Sequence, residues 1–190
     1  MGFSTRADWG SEMDGSTRSH RFRYHLGRGF VKPGDTVLDL GCGKGYGSKI
    51  LSEVAEEVIG FDIDAGQINN NIEEFDEENI LFLPANLEES DLPHCDVACS
   101  FEVIEHLYKP AEFIERLKTR VKKWIVVSVP IGEEMVEVDG EIQGKKDSTH
   151  HFSFPTSDDL DALFIDDNWR KFYGVQSGVT YIAVYYKYDL

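Results

Sequence analysis

The stretch VLDLGCGKGYGS, Val37–Ser48, limits what this chain can become more than any other. Val37–Leu40 is apolar apart from Asp39 and reads as a strand buried on both faces. It runs straight into Gly41, Gly43, Gly45 and Gly47. Glycine at that spacing tolerates positive φ and lets another molecule approach the main chain closely. A strand that ends in such a bend and opens a helix near Gly45 presents backbone N–H groups at the helix N-terminus, where negative or electron-rich groups are stabilised. In an open α/β sheet this is the usual place for a ligand, at the carboxyl end of the first strand.

The rest of the chain supplies the sheet. Expected strands are Thr36–Leu40, Val58–Asp62, Ile80–Ala85, Asp96–Phe101 and Trp124–Pro130, alternating with helices over 17–30, Gly45–Ala55, Ala65–Phe75 and Ala111–Val121. Short apolar runs between helices indicate a parallel sheet covered on both faces. Ile131–Ser153 is polar and acidic and reads as a long loop with room for a small hairpin, a kind of loop that is often functional. Thr156–Ile165 then forms a helix, and Trp169–Gln176 and Val179–Lys187 a closing hairpin, which requires an antiparallel last strand. The expected fold class is α/β, a Rossmann-like doubly wound sheet of seven strands, as one domain over 1–190. Residues 1–16, rich in Gly and Ser, read as loose or as a flap on the substrate side, and 17–32 as a helical segment over the ligand site.

Charge narrows the partners. A formal net charge of −16 repels phosphate backbones, so a large nucleic-acid footprint is disfavoured. The basic exception is Arg18 to Lys32, read as a solvated helix face or as a hold for a small anion. With Cys42, Cys95 and Cys99 alone there is no disulfide framework, and no apolar run reaches a membrane span, so a cytoplasmic protein, monomer or homodimer, is expected.

The glycine spacing is G-x-G-x-G. A dinucleotide fingerprint would need glycine where Tyr46 stands. Asp62, ending the second strand about 20 residues on, is placed to accept ribose hydroxyls. Asp39, inside the first strand, makes more sense opposite an ammonium group than as core. A ribose with an amino-acid head describes S-adenosylmethionine better than NAD.

These motifs, with VIGFDID, LPANLEESDLP and FEVIEHL, follow one another in the order and spacing that resemble class I S-adenosylmethionine-dependent methyltransferases, from about Asp35 to the C-terminus. The resemblance implies cofactor contacts from Gly41, Cys42, Gly43, Gly45 and Tyr46, ribose binding by Asp62, adenine packing on Ile63, and an adenine contact from Asn86 with Leu87 beside it. Phe101 would flank the cofactor, and Tyr24, in the segment HRFRY with His20 and Arg23, would lie near its carboxylate.

Glu102, Glu105 and His106 follow the fourth strand; in a helix, positions i, i+3 and i+4 share a face. As the catalytic candidates they can hold a divalent cation such as Mg, or His106 can act alone as a base. The pattern E-x-x-E-H resembles that of ubiquinone-pathway O-methyltransferases and of 2′-O-methyltransferases acting on small-RNA 3′ ends, both of which use it for a metal. By resemblance to the latter, His150 in HHFSF is the fourth ligand, although H-x-F stretches also occur in small-molecule methyltransferases. The expected activity is methyl transfer to a small-molecule acceptor, oxygen preferred over nitrogen. An RNA 2′-O-methyltransferase and a non-catalytic binding module are the competing readings.

Overall fold

The computed structural model describes residues 15–188; most of the segment 1–16 lies outside it. In chain order the elements are α1 (Gly15–Arg28), β1 (Thr36–Leu40), α2 (Tyr46–Ser52), β2 (Glu57–Asp62), α3 (Ala65–Glu74), β3 (Ile80–Pro84), β4 (Cys95–Phe101), α4 (Pro110–Arg120), β5 (Val121–Pro130), β6 (Met135–Val138), β7 (Glu141–Gly144), α5 (Ser157–Phe164), β8 (Trp169–Ser177) and β9 (Thr180–Lys187). Seven strands form one sheet in the order β3-β2-β1-β4-β5-β9-β8. β9 pairs antiparallel with both β5 and β8, and the pairs among the first five strands are parallel. The expected doubly wound sheet with its antiparallel last strand is therefore present. The expected small hairpin is β6–β7, a separate two-stranded ribbon.

The order reverses between β1 and β4, so a crevice opens at their carboxyl ends. Period-two alternation sends side chains of β1 to opposite layers. Leu38 and Leu40 join Ile59, Ile104, Phe113, Ile114 and Ile125 under α4 and α5. Val37 packs on the other side with Tyr24, Ile50, Leu51, Val97 and Phe101 under α1 and α2.

Asp39 faces that second layer and is fully buried. It accepts hydrogen bonds from Tyr24 Oη at 3.0 Å and Ser48 Oγ at 2.6 Å, which ties α1 and α2 to the central strand. Tyr24 sits flat against Gly47, where a Cβ would lie 2.0 Å from its ring. Any other residue at 47 would expel Tyr24 and strip Asp39 of a donor.

Among the described residues no helix is long and apolar enough to cross a membrane. Burial, only partly offset by the Ser48 and Tyr24 bonds, pushes the Asp39 carboxyl up from 3.8 to about 6. An acid that holds its proton more tightly when folded stabilises the fold below its unfolded pKa and loses that contribution as pH rises through its folded one. Unfolding free energies of wild type and Asp39→Asn, measured from pH 3.5 to 7, should diverge accordingly: wild type should lose about 3 kcal/mol relative to the variant, at 1.36 kcal/mol per pKa unit. A pH-independent difference would contradict the assignment.

Candidate functional site

β1 ends in the glycine bend at the crevice. Gly41, Gly43 and Gly45 all have positive φ, at 78°, 50° and 74°. The bend is closed on itself. Gly41 and Cys42 both donate their N–H to the Phe61 carbonyl at 2.8 Å, Gly43 N–H donates to Asp62 Oδ2 at 2.8 Å, and Gly45 N–H donates to the Cys42 carbonyl at 3.0 Å. The expected cradle of open N–H groups is thus absent at these four residues. What the bend offers a ligand is a wall without side chains.

A cleft of about 450 Å³ opens beside it, lined by Gly41, Asp62, Ile63, Asn86, Glu102 and His106 together with Ala85, Leu87, Glu88, Val103, Leu107, Tyr108 and His151. The sequence-derived cofactor residues divide into two groups. Gly41, Asp62, Ile63, Asn86 and Leu87 meet here, with Ile63 exposed at the lip. Asp62 keeps its carboxylate at the cleft while holding Gly43 N–H and, at 3.0 Å, Asp64 N–H. Tyr24, Asp39, Cys42 and Phe101 are buried and do not line the cleft. Tyr24 and Phe101 pack edge to face, 4.8 Å apart, in the layer under α1. Asp39, expected opposite an ammonium, instead lies beneath the bend. Tyr46 turns toward α1 and shares a 2.5 Å hydrogen bond with His20.

After β4 the chain forms a single 3-10 turn, Ile104–His106, not the helix that would place Glu102, Glu105 and His106 on one face. Glu102 precedes it with φ 57°, so the two glutamates part company. Glu102 stays at the cleft, accepting from Ser128 Oγ at 2.8 Å and lying 3.4 Å from Arg23, whose guanidinium is buried. Glu105 turns inward; both its carboxylate oxygens are buried without a hydrogen-bond partner. Burial first, and then the Glu102 carboxylate, push its acid well above the ordinary range.

His150 arrives from the far end of the β6–β7 insertion. Donor atoms of Glu105, His106 and His150 lie within 4.8 Å of one another, and Glu102 is not among them. The four candidate ligands therefore resolve into three that converge and one that is held elsewhere by Ser128 and Arg23. His106 donates from Nδ1 to the Thr149 carbonyl at 3.0 Å, which leaves Nε2 with its lone pair. Backbone N–H groups of His151 and Phe152 both bond to the Glu105 carbonyl, at 2.8 and 3.0 Å, so the insertion is pinned onto the turn.

Tyr108 and His151 were not singled out by the sequence. They stack in the cleft wall with centroids 4.0 Å apart. The doubled histidine in HHFSF was the only signal, and spacing cannot say which of the pair faces which way.

A family profile described as a methyltransferase domain matches residues 19–171. Over 83 residues the chain is 39% identical to a Mycolicibacterium smegmatis protein named "Probable S-adenosylmethionine-dependent methyltransferase", across 43% of this chain and 32% of that one. It is 36% identical over 104 residues to the mitochondrial ubiquinone biosynthesis O-methyltransferase of Dictyostelium discoideum, across 47% of this chain and 32% of that protein. The chain thus spans about a third of the length of these curated relatives. Among solved structures, the PH0226 protein of Pyrococcus horikoshii superposes with a TM-score of 0.71 at 17% identity, covering 98% of this chain and 96% of that one, which shows a shared fold.

Val103 closes over the bare bend: a Cβ on Gly41 would lie 2.3 Å from Val103 Cγ2 and would require the strained φ of 78°. Gly41→Ala should lower the unfolding free energy in urea by about 2–3 kcal/mol from strain and overpacking. Adding Val103→Ala should recover the overpacking part. A single variant as stable as wild type would show that the contact can relax without cost.

Proposed function

We propose a reaction from one premise, that the chain belongs to the class I S-adenosylmethionine-dependent methyltransferases. The donor is S-adenosylmethionine, with its ribose toward Asp62, its adenine between Ile63 and the Asn86–Leu87 corner, and its sulfonium toward Gly41 and Glu102. The acceptor is a small molecule that offers a hydroxyl oxygen. That oxygen attacks the methyl carbon in line with the carbon–sulfur bond, the pair in that bond leaves with sulfur as neutral S-adenosylhomocysteine, and the hydroxyl proton passes to a base. Alignment and exclusion of water do most of the work, because the sulfonium is already an excellent leaving group.

The observation that carries the choice of oxygen is the Glu105–His106–His150 group, which meets the cleft through His106, since a weakly acidic hydroxyl needs help that a better nucleophile does not. Glu105, His106 and His150 fit a divalent cation: a buried carboxylate with both oxygens unpartnered is otherwise costly, and His106 Nε2 is left without a proton beside it. One carboxylate with two imidazoles suits a borderline ion such as iron(II), cobalt or zinc better than Mg, which favours all-oxygen surroundings. When bound there, such an ion supplies Lewis acidity toward the acceptor hydroxyl. Glu102, fixed by Ser128 and Arg23, lies on the same side of the cleft and orients the acceptor. The named activity of the Dictyostelium relative, an O-methyltransferase, supports the same choice. The net charge of −16 favours a metabolite over RNA.

S-adenosylhomocysteine should raise the melting temperature, since it binds only the folded chain, and NAD should not. A shift with NAD alone would overturn the donor assignment. His106→Ala should cut turnover by at least about 100-fold, the size of a lost acid–base or metal contribution, while the S-adenosylhomocysteine shift persists. Activity untouched by EDTA would leave His106 as an unaided base. Labelled methyl transfer into a cell extract, with the product identified by mass, would distinguish a metabolite from RNA; an extract left unlabelled would speak for a binding module.

A further inference from the structure

We propose that Glu133, which no motif marks, is the positioning residue that makes His150 a cation ligand, by fixing which ring nitrogen of His150 carries its proton. This rests on the cation reading above.

Glu133 lies just after β5, seventeen positions before His150, and its side chain is 7% exposed. Oε2 stands 2.5 Å from His150 Nδ1. Oε1 accepts two backbone N–H groups, from Lys146 at 3.0 Å and Asp147 at 3.1 Å. The ribbon is shaped around this carboxylate. A Cβ on Gly144 would fall 2.6 Å from Glu133 Oε1, and Gly144 N–H reaches back to the His150 carbonyl at 2.9 Å. Three partners, one on Oε2 and two on Oε1, hold the carboxylate in one orientation.

A carboxylate accepts only, so the His150 proton must sit on Nδ1 and the lone pair on Nε2. Nε2 is then the atom available to an ion shared with Glu105 and His106. Asp147 Oδ2, 3.6 Å from Nε2, is too far to accept a hydrogen bond from it. Carboxylates behind metal-bound imidazoles commonly act this way, fixing the tautomer and the ring plane. Here the supporting carboxylate comes from the start of the insertion and the imidazole from its end, so the ribbon between them is a brace.

The chemistry makes a prediction that packing alone does not. In Glu133→Gln the amide oxygen must stay on the Lys146 and Asp147 N–H groups, which turns the NH₂ group toward His150 Nδ1. That amide donates, Nδ1 must accept, and the proton moves to Nε2, where it blocks the lone pair. Glu133→Ala leaves Nδ1 free to take either tautomer. The isosteric variant should therefore bind a cation more weakly than the truncated one, the reverse of what a purely structural role would give.

The experiment is Co²⁺ titration of the EDTA-treated chain, followed by visible absorption and calorimetry, with the S-adenosylhomocysteine melting shift as a control for folding. Glu133→Gln should weaken Co²⁺ binding by about 10–100-fold, the usual cost of losing such a partner. Glu133→Ala should weaken it less, and both should keep the melting shift. Equal Co²⁺ affinity in Glu133→Gln and wild type, or a larger loss in Glu133→Ala than in Glu133→Gln, overturns the proposal while the cation reading stands. Wild type that takes up no Co²⁺ overturns both and leaves the methyltransferase assignment intact.

Discussion

The site depends on how the end of β2 grips the end of β1. The Phe61 carbonyl accepts two consecutive N–H groups of the glycine bend, and the Asp62 carboxylate accepts a third. Such a double grip demands that the chain leave β1 through left-handed conformations, which is why glycine stands at alternate positions. Once the bend is fastened this way, its outer surface is bare and Val103 can close on it. Asp62 therefore does two things: it lines the cleft, and its two carboxylate oxygens hold the Gly43 and Asp64 N–H groups.

The second structural fact is the separation of two carboxylates that look equivalent in FEVIEHL. Glu102 takes a left-handed backbone at the end of β4, which keeps it at the cleft under the control of Ser128 and Arg23. The tight turn that follows rotates Glu105 inward, into surroundings that push its acid up and give it no donor. The sheet order explains why His150 can reach it. β4 and β5 are neighbours, so the insertion after β5 begins beside the turn after β4 and folds back over it. Its return is secured by the His151 and Phe152 N–H groups on the Glu105 carbonyl. Residues far apart in sequence become one cluster because two adjacent strands end at the same edge of the sheet.

Much of the fold was legible in the chain. Val58–Asp62 and Trp124–Pro130 announced themselves as strands because both faces of a parallel sheet are buried and apolar runs have no competing reading between helices; Ile80–Ala85 reads the same way although β3 lies at the sheet edge with Leu81 and Leu83 exposed. The turn after Phe101 was not legible, because three residues of 3-10 turn leave no periodic trace. Tyr24 and Phe101 looked like ligand contacts by their place in motifs and are instead a packed pair in the layer under α1. Strand parity was available for Phe101, since it shares a face with Val97 and Cys99. For Tyr24 nothing local could tell which side of its helix would meet Gly47.

By itself, then, the sequence determined the class of the fold, the place of the bend and the chemical types gathered near it, because these follow from hydrophobic period and from glycine's freedom at φ. Only the tertiary structure decided that the N–H groups of Gly41, Cys42, Gly43 and Gly45 are spent on the protein itself, that Asp39 is a buried tie between helices, and that Glu105, not Glu102, meets His106 and His150. Those outcomes turn on which atoms reach one another across strands and after a long insertion. Residue types and spacing carry no such information until the sheet has set its order.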